Sequence, residues 1–327
     1  MRKFLVQTGA LLGLMLCFGF LANAQIIPDA LSLIASPSSP SPDEIVTIQA
    51  ATPTFEKNSA FFSWTVEGKE RPDLSGAGQD VIKISAGGLG SSLRVSVLVL
   101  RDNADALSAA LTVRIADLAL SWFAQTYVPR WYKGKALPIQ NSNVTMVAVP
   151  NIIIEGATLR PAELIYRWRL DEEDEISGVG LDVFRIKTSD LPRSSHRIRV
   201  VVEDSGRQIK KEGELFIVPT TPSIFIYQSS PLGGIENRSS LSFKTSPGGN
   251  LLDFWAEPFF FNALSRQNLS YRWTVGTTEV TGGVENPYLL TLDPGKQPTG
   301  IVPVSVSTDD SDAFTPSASA FLNLLLQ

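Results

Sequence analysis

The sequence predicts an all-β protein of three tandem antiparallel β-sandwiches behind an N-terminal signal peptide. Three observations carry that prediction. One five-residue pattern is written three times, Phe62-Ser63-Trp64-Thr65-Val66, Tyr166-Arg167-Trp168-Arg169-Leu170 and Tyr271-Arg272-Trp273-Thr274-Val275, with the tryptophans 104 and 105 positions apart. Apolar residues at alternate positions, with Ser, Thr or Arg between them, mark a strand with one buried and one wet face. Upstream of each tryptophan an alternating apolar run ends in Ala-x-Pro, at Ala51-Thr52-Pro53, Ala148-Val149-Pro150 and Ala256-Glu257-Pro258. Downstream, a Val-rich run ends in Asp102, Asp204 and Asp309, which lie 38, 36 and 36 residues beyond their tryptophans. An interior of constant length with variable loops is how a repeated domain behaves.

Residues 1–24 read as a secretory signal peptide. Arg2 and Lys3 form a positive start, Phe4 to Phe20 an apolar stretch, and Ala22-Asn23-Ala24 a cleavage site before Gln25. An uncleaved membrane anchor is the alternative, and membrane contact is expected only in that case. The single cysteine, Cys17, lies inside this leader behind Leu16, which leaves the mature chain without a disulfide, thiolate ligand or cysteine nucleophile. Each sandwich must then hold together by its apolar core.

The first repeat is expected over residues 25–116. It contains the proline-rich stretch Ser36 to Pro42, strands at Ile45 to Ala50 and around Trp64, a turn at Gly87-Gly88-Leu89-Gly90, and a closing hairpin of Leu93 to Leu100 with Leu111 to Ile115. The second, residues 117–219, adds Trp122-Phe123 and the aromatic segment Tyr127 to Lys133 before its strands at Val144 to Val149, Trp168, Val183 to Ile186, Ile198 to Val202 and Glu214 to Val218. A Val218-Pro219-Thr220-Thr221-Pro222 link favours an extended joint. The third repeat, residues 220–327, ends on the strand-like Ala320 to Leu326.

The aromatic-x-Trp-x-aliphatic strand, the proline-rich lead-in and the paired final hairpin resemble bacterial immunoglobulin-like domains, most closely the polycystic-kidney-disease (PKD) type. The resemblance covers nearly all of the mature chain and implies Ig-like sandwiches used as structural, adhesive or assembly modules. After the tryptophan, where that type has Asp-Phe-Gly-Asp-Gly, this chain has Thr65-Val66-Glu67-Gly68, Arg169-Leu170-Asp171-Glu172 and Thr274-Val275-Gly276-Thr277.

The chain carries 28 Lys and Arg against 33 Asp and Glu, a formal charge of −5. That balance argues against nucleic acid as a partner. With one histidine, His196, and no nucleophile elbow or zinc motif, neither an enzyme nor a cofactor is expected. His196 is expected as a surface residue at a strand edge. The acidic run Asp171 to Glu175 reads as a solvated turn. Asp309, Asp310 and Asp312 offer hard oxygen ligands for calcium, set against the reading in which Asp102, Asp204 and Asp309 cap a hairpin by bonding backbone two residues on.

The aromatic clusters are the better binding candidates: Arg130, Trp131 and Tyr132 in one loop, and Phe259, Phe260 and Phe261 after the third Ala-x-Pro. Either they meet a protein or glycan partner at the cell envelope or they pack between adjacent repeats. Phe62, Trp64, Tyr166, Trp168, Tyr271 and Trp273 are assigned to the cores. Three function classes follow. The first is a non-enzymatic surface array, the second a carbohydrate-binding or polysaccharide-associated protein, and the third a periplasmic accessory of a pilus or secretion system with an open edge strand at Phe321 to Leu326.

Overall fold

The computed structural model describes residues 30–53, 55–102, 105–191, 194–247, 249–263, 265–283, 285–310 and 316–327. The leader, Cys17 and Asp312 lie outside them.

The first module comprises β1 (Ser32–Ser36), β2 (Ile45–Ala51), β3 (Ala60–Val66), β4 (Lys69–Glu70), β5 (Gly76–Ala77), β6 (Val81–Ser85), β7 (Ser92–Arg101) and β8 (Leu107–Arg114). Its sheets run β1-β2-β6 and β4-β3-β7-β8, with β5 also on β3. The second comprises β9 (Asp117–Ala124), β10 (Asn143–Asn151), β11 (Ile153–Ile154), β12 (Ala157–Thr158), β13 (Ile165–Leu170), β14 (Glu173–Val179), β15 (Val183–Lys187), β16 (His196–Glu203) and β17 (Lys210–Ile217). Here the order is β9-β10-β15 facing β14-β13-β16-β17, beside a small β11-β12 hairpin. The third comprises β18 (Ser223–Ser230), β19 (Gly234–Ile235), β20 (Phe243–Ser246), β21 (Leu252–Phe259), β22 (Leu269–Val275), β23 (Thr278–Val280), β24 (Leu289–Leu292), β25 (Gly300–Asp310) and β26 (Ala318–Leu326). Its sheets are β19-β18-β21-β24 and β20-β26-β25-β22-β23.

In all three, one sheet holds the first strand, the second and the strand before the closing hairpin, and the other is built on the tryptophan strand and that hairpin. This is the immunoglobulin-like sandwich. One apolar core fills each.

Trp64, Trp168 and Trp273 are fully buried at those three centres. A buried indole N–H needs a partner, and each finds one carbonyl on the approach to the third strand of the opposite sheet: Gln79 O at 2.8 Å, Leu181 O at 2.7 Å and Pro287 O at 3.0 Å. The next carbonyl in every copy accepts from the second strand, as Ala50 N to Asp80 O, Ala148 N to Asp182 O and Ala256 N to Tyr288 O, each 2.8 Å. Two adjacent carbonyls thus fix the two sheets against each other. This pairing aligns Ala50, not Ala51, with Ala148 and Ala256, so Ala51-Thr52-Pro53 is one residue out of register with the other two anchors. Pro150 and Pro258, two residues beyond those alanines, turn their missing N–H toward the same side, past the last residues paired to β15 and β24.

Phe62 and Tyr166 are fully buried beside their tryptophans, whereas Tyr271 is partly buried and packs against the third core from its margin. Phe261 and Phe254 are fully buried in that core, and the Tyr271 hydroxyl donates to Arg266 O at 3.0 Å. The Tyr166 hydroxyl is buried without a partner, and burial, with Asp182 nearby, pushes its pKa up to about 12.

The expected open edge at the chain's end is half closed. β20 pairs in parallel with Asn323 to Leu326, leaving only the earlier half of β26 without a neighbour on that side.

Candidate functional site

The densest chemistry lies where the second module meets the third. The loop between β9 and β10 reaches across and adds a two-residue antiparallel bridge: Tyr127 N donates to Phe261 O and Phe260 N to Tyr127 O, both at 2.7 Å. To present this edge Phe260 takes φ +63°, the left-handed region that a bulky side chain adopts only under tertiary constraint. Behind the bridge, Ser142 Oγ donates to Asn262 Oδ1 at 2.7 Å, Asn262 Nδ2 to Gln140 O at 2.9 Å, and Thr220 N to Pro138 O at 2.8 Å.

The six aromatic and cationic binding candidates divide here. Trp131 meets Tyr227 and Phe259 edge to face at 5.6 and 5.7 Å, and Tyr132 meets Phe259 and Phe260 at 5.5 and 5.9 Å. Phe259 and Phe261 are buried, while Phe260, Trp131 and Tyr132 are partly buried and Arg130 is exposed. The two sequence clusters therefore form one aromatic interface between modules.

At its centre is a carboxylate. Glu257, the middle residue of the third Ala-x-Pro, has 0% exposure. Its Oε1 accepts from the Tyr127 hydroxyl at 2.7 Å, and its Oε2 accepts from Trp255 Nε1 and Arg266 Nη1, both at 2.9 Å. Arg266 lies over the rings of Trp255 and Tyr288 at 4.6 and 4.9 Å. A fully buried carboxylate is tolerated only when paired and hydrogen-bonded, and three donors from two modules do this. Burial and the adjacent Glu257 charge hold the Tyr127 phenol well above the ordinary tyrosine range. Tyr271 is raised in the same way, by burial first and then by Glu257. The phenol therefore stays a donor rather than a competing anion.

Beside this network opens a cleft of about 780 Å³, with Pro129, Arg130 and Trp131 on one wall and Ser265, Arg266 and Gln267 on the other.

Tyr127 belongs to the aromatic segment singled out in the sequence, but Glu257, Trp255 and Arg266 were not foreseen. The available signal was the acid inside Ala-x-Pro. In the other copies the structurally equivalent position holds Ala51 and the exposed Val149.

The remaining candidates lie elsewhere. Asp309 accepts from Arg272 Nη2 at 3.0 Å on β25. Among the described residues no group of three His, Cys, Asp or Glu is placed to hold a metal. Asp204 is buried and accepts from Gly206 N at 2.9 Å and Ile209 N at 2.6 Å, a cap two residues on. His196 is buried, against the expected surface position. Its Nε2 accepts from Ser189 N at 3.0 Å, so Nδ1 carries the proton and donates to Asp171 at 2.9 Å. Only Asp171 and Glu172 of the acidic run form a turn, both at positive φ, and Glu172 pairs with Arg197 and Arg199; Glu173 onward is strand β14.

The joint between the first two modules is sparser. The proline-rich stretch connects β1 to β2 and offers Ser39 O and Ser41 Oγ to the buried Lys211 ammonium, each at 3.0 Å. Burial lowers the Lys211 pKa, opposed by Glu44 and Asp117. Ala116 N also donates to Pro40 O at 3.0 Å.

No protein-family model matches the chain, and no curated protein does. Among solved structures, it is similar to the three N-terminal domains of the highly immunogenic outer capsid protein (Hoc) of bacteriophage RB49, at 11% identity over 91% of this chain and 99% of that one, with a TM-score of 0.26. A second is the Bacteroides ovatus mixed-linkage glucan utilization locus protein SGBP-B in complex with a mixed-linkage heptasaccharide, at 10% identity, 88% and 65% coverage and a TM-score of 0.25. A third is the central fibronectin-III array of RIM-binding protein, at 12% identity, 90% and 96% coverage and a TM-score of 0.29. Likenesses this distant carry no functional argument, and the Ig-like assignment stands on strand order. Among the described residues no helix is long and apolar enough to cross a membrane.

Proposed function

We propose that this chain is a non-enzymatic, extracytoplasmic array of three Ig-like modules that works as a structural, adhesive or assembly component at the cell envelope. The observation that carries the reading is the joint at Glu257. A fully buried carboxylate that takes a donor from the neighbouring module ties the two modules together, which suits an array with a structural role. The leader in residues 1–24 supports an export route, and a partner of protein or glycan class fits the outward sheet faces better than nucleic acid does, given the net negative charge.

Expression of the full chain in its source cells, followed by fractionation and cross-linking, tests this. The expected result is a chain processed near Ala24, found outside the cytoplasm and cross-linked repeatedly to the same envelope component. Recovery of the unprocessed chain in the cytoplasmic fraction with no recurring product contradicts it.

A further inference from the structure

We infer that the cleft between the second and third modules is a binding site for a short acidic saccharide, a few pyranose rings carrying a carboxylate. The inference adds a ligand to the array and does not depend on its localisation.

The volume, about 780 Å³, falls in the range of small-ligand clefts and well below what a folded partner requires. Its charge is one-sided: of its lining residues two are cations, Arg130 and Arg266, and none is an anion, in a chain whose formal charge is −5. The two arginines have different duties. Arg266 is neutralised by Glu257 through Nη1, which leaves further N–H groups for neutral acceptors such as sugar hydroxyls. Arg130 is exposed and has no ion-pair partner among the described residues, so its guanidinium is the group left to take a carboxylate in a two-point hydrogen bond.

The neutral lining suits a sugar. Gln267 supplies an amide able both to donate and to accept, and Ser265, whose hydroxyl donates to Asn268 Oδ1 at 2.8 Å, is left as an acceptor, a set that suits a ring rich in hydroxyls. Trp131 is partly exposed in the wall, and its edge-to-face contacts with Tyr227 and Phe259 fix the indole plane before any ligand arrives. The fixed aromatic surface costs little ordering on binding, and immobilising the exposed Arg130 side chain is the main ordering cost. Because the walls come from two modules, a saccharide in the cleft bridges them, and the Tyr127–Glu257 bond holds the cleft at its width.

The test is calorimetric titration of the mature chain with trimers of galacturonate, mannuronate and glucuronate, the matching neutral trimers, and inorganic phosphate. At least one acidic trimer should bind with a Kd below about 1 mM. Its neutral counterpart should bind about tenfold or more weakly, and Arg130→Ala should lose a similar factor, because each removes one charge-assisted contact. Gln267→Ala should lose less. Both substituted residues are exposed, so the melting temperature should not move, and a melt of each variant checks this. Arg130→Gln, which keeps a hydrogen-bond donor without the charge, should also lose affinity. No binding of any acidic trimer, equal binding of acidic and neutral trimers, equal competition by phosphate alone, or unchanged affinity in Arg130→Ala and Arg130→Gln would each overturn the inference.

Discussion

The two joints of this chain join like modules by unlike chemistry. Between the first and second modules, a lysine ammonium rests on a backbone carbonyl and a serine hydroxyl offered by a proline-rich turn. Between the second and third, a backbone bridge, an aromatic interface and a carboxylate with three donors are superposed. The lesson is that a repeated fold fixes cores but not joints. The former are held by the recurring tryptophan, and the latter by residues that occur once.

The comparison breaks most directly at Arg266. Arg266→Ala leaves the Glu257 carboxylate buried without its cation, which should cost about 3 kcal/mol, the lower end of the range for such losses because Arg266 keeps 30% of its side chain exposed. Differential scanning calorimetry should show the loss in the transition of the third module, with that of the first unchanged. Tyr127→Phe removes one hydrogen bond to a charged acceptor and should cost about 1.5 kcal/mol. It should loosen the joint before it unfolds either module, seen as faster amide exchange in residues 257–263 and 125–131.

Alkaline pH sharpens the contrast without a mutation. Tyr127, Tyr166, Tyr227 and Tyr271 all hold their proton more tightly in the fold than at the ordinary value of 10.0. Stability from these groups is complete below pH 10.0 and falls as pH rises above it, because the unfolded chain then gains by ionising. The first module contains no tyrosine, so its melting should change least. Tyr127→Phe should flatten the slope of the other two. The smallest effect belongs to the first joint. Lys211→Met exchanges a buried ammonium with neutral acceptors for an apolar chain of similar length, and should shift stability by less than about 1 kcal/mol in either direction.

The cores were legible because period-2 alternation and a buried tryptophan are local signals, readable within five residues. Tyr271 follows that logic only in part: it packs at the margin of its core, where Phe254 and Phe261 are fully buried. The register slip at Ala51 has a plain cause: Pro53 drew the alignment, but the backbone aligns Ala50. The joint was half legible. Trp131 and Phe259 stood out as clusters, but nothing local shows that residues 127 and 257 meet across 130 positions. An acid in a strand normally faces water, and Glu257 does face outward from its own sheet; a loop from another module covers it. His196 was misplaced for a similar reason, because its partners Asp171 and Ser189 come from loops on either side.

The central claim is that the second joint holds its modules at one angle more tightly than the first does. Cys17 is the single cysteine of the sequence, so in a chain beginning at Gln25 spin labels at Lys83→Cys, Lys187→Cys and Glu279→Cys, all exposed positions, allow both joints to be measured by pulsed dipolar spectroscopy. A narrow single distance distribution for 187 with 279, broadened by Tyr127→Phe, and a wider one for 83 with 187 is the predicted result. Equal widths at the two joints, or a 187–279 distribution unchanged by Tyr127→Phe, would contradict it.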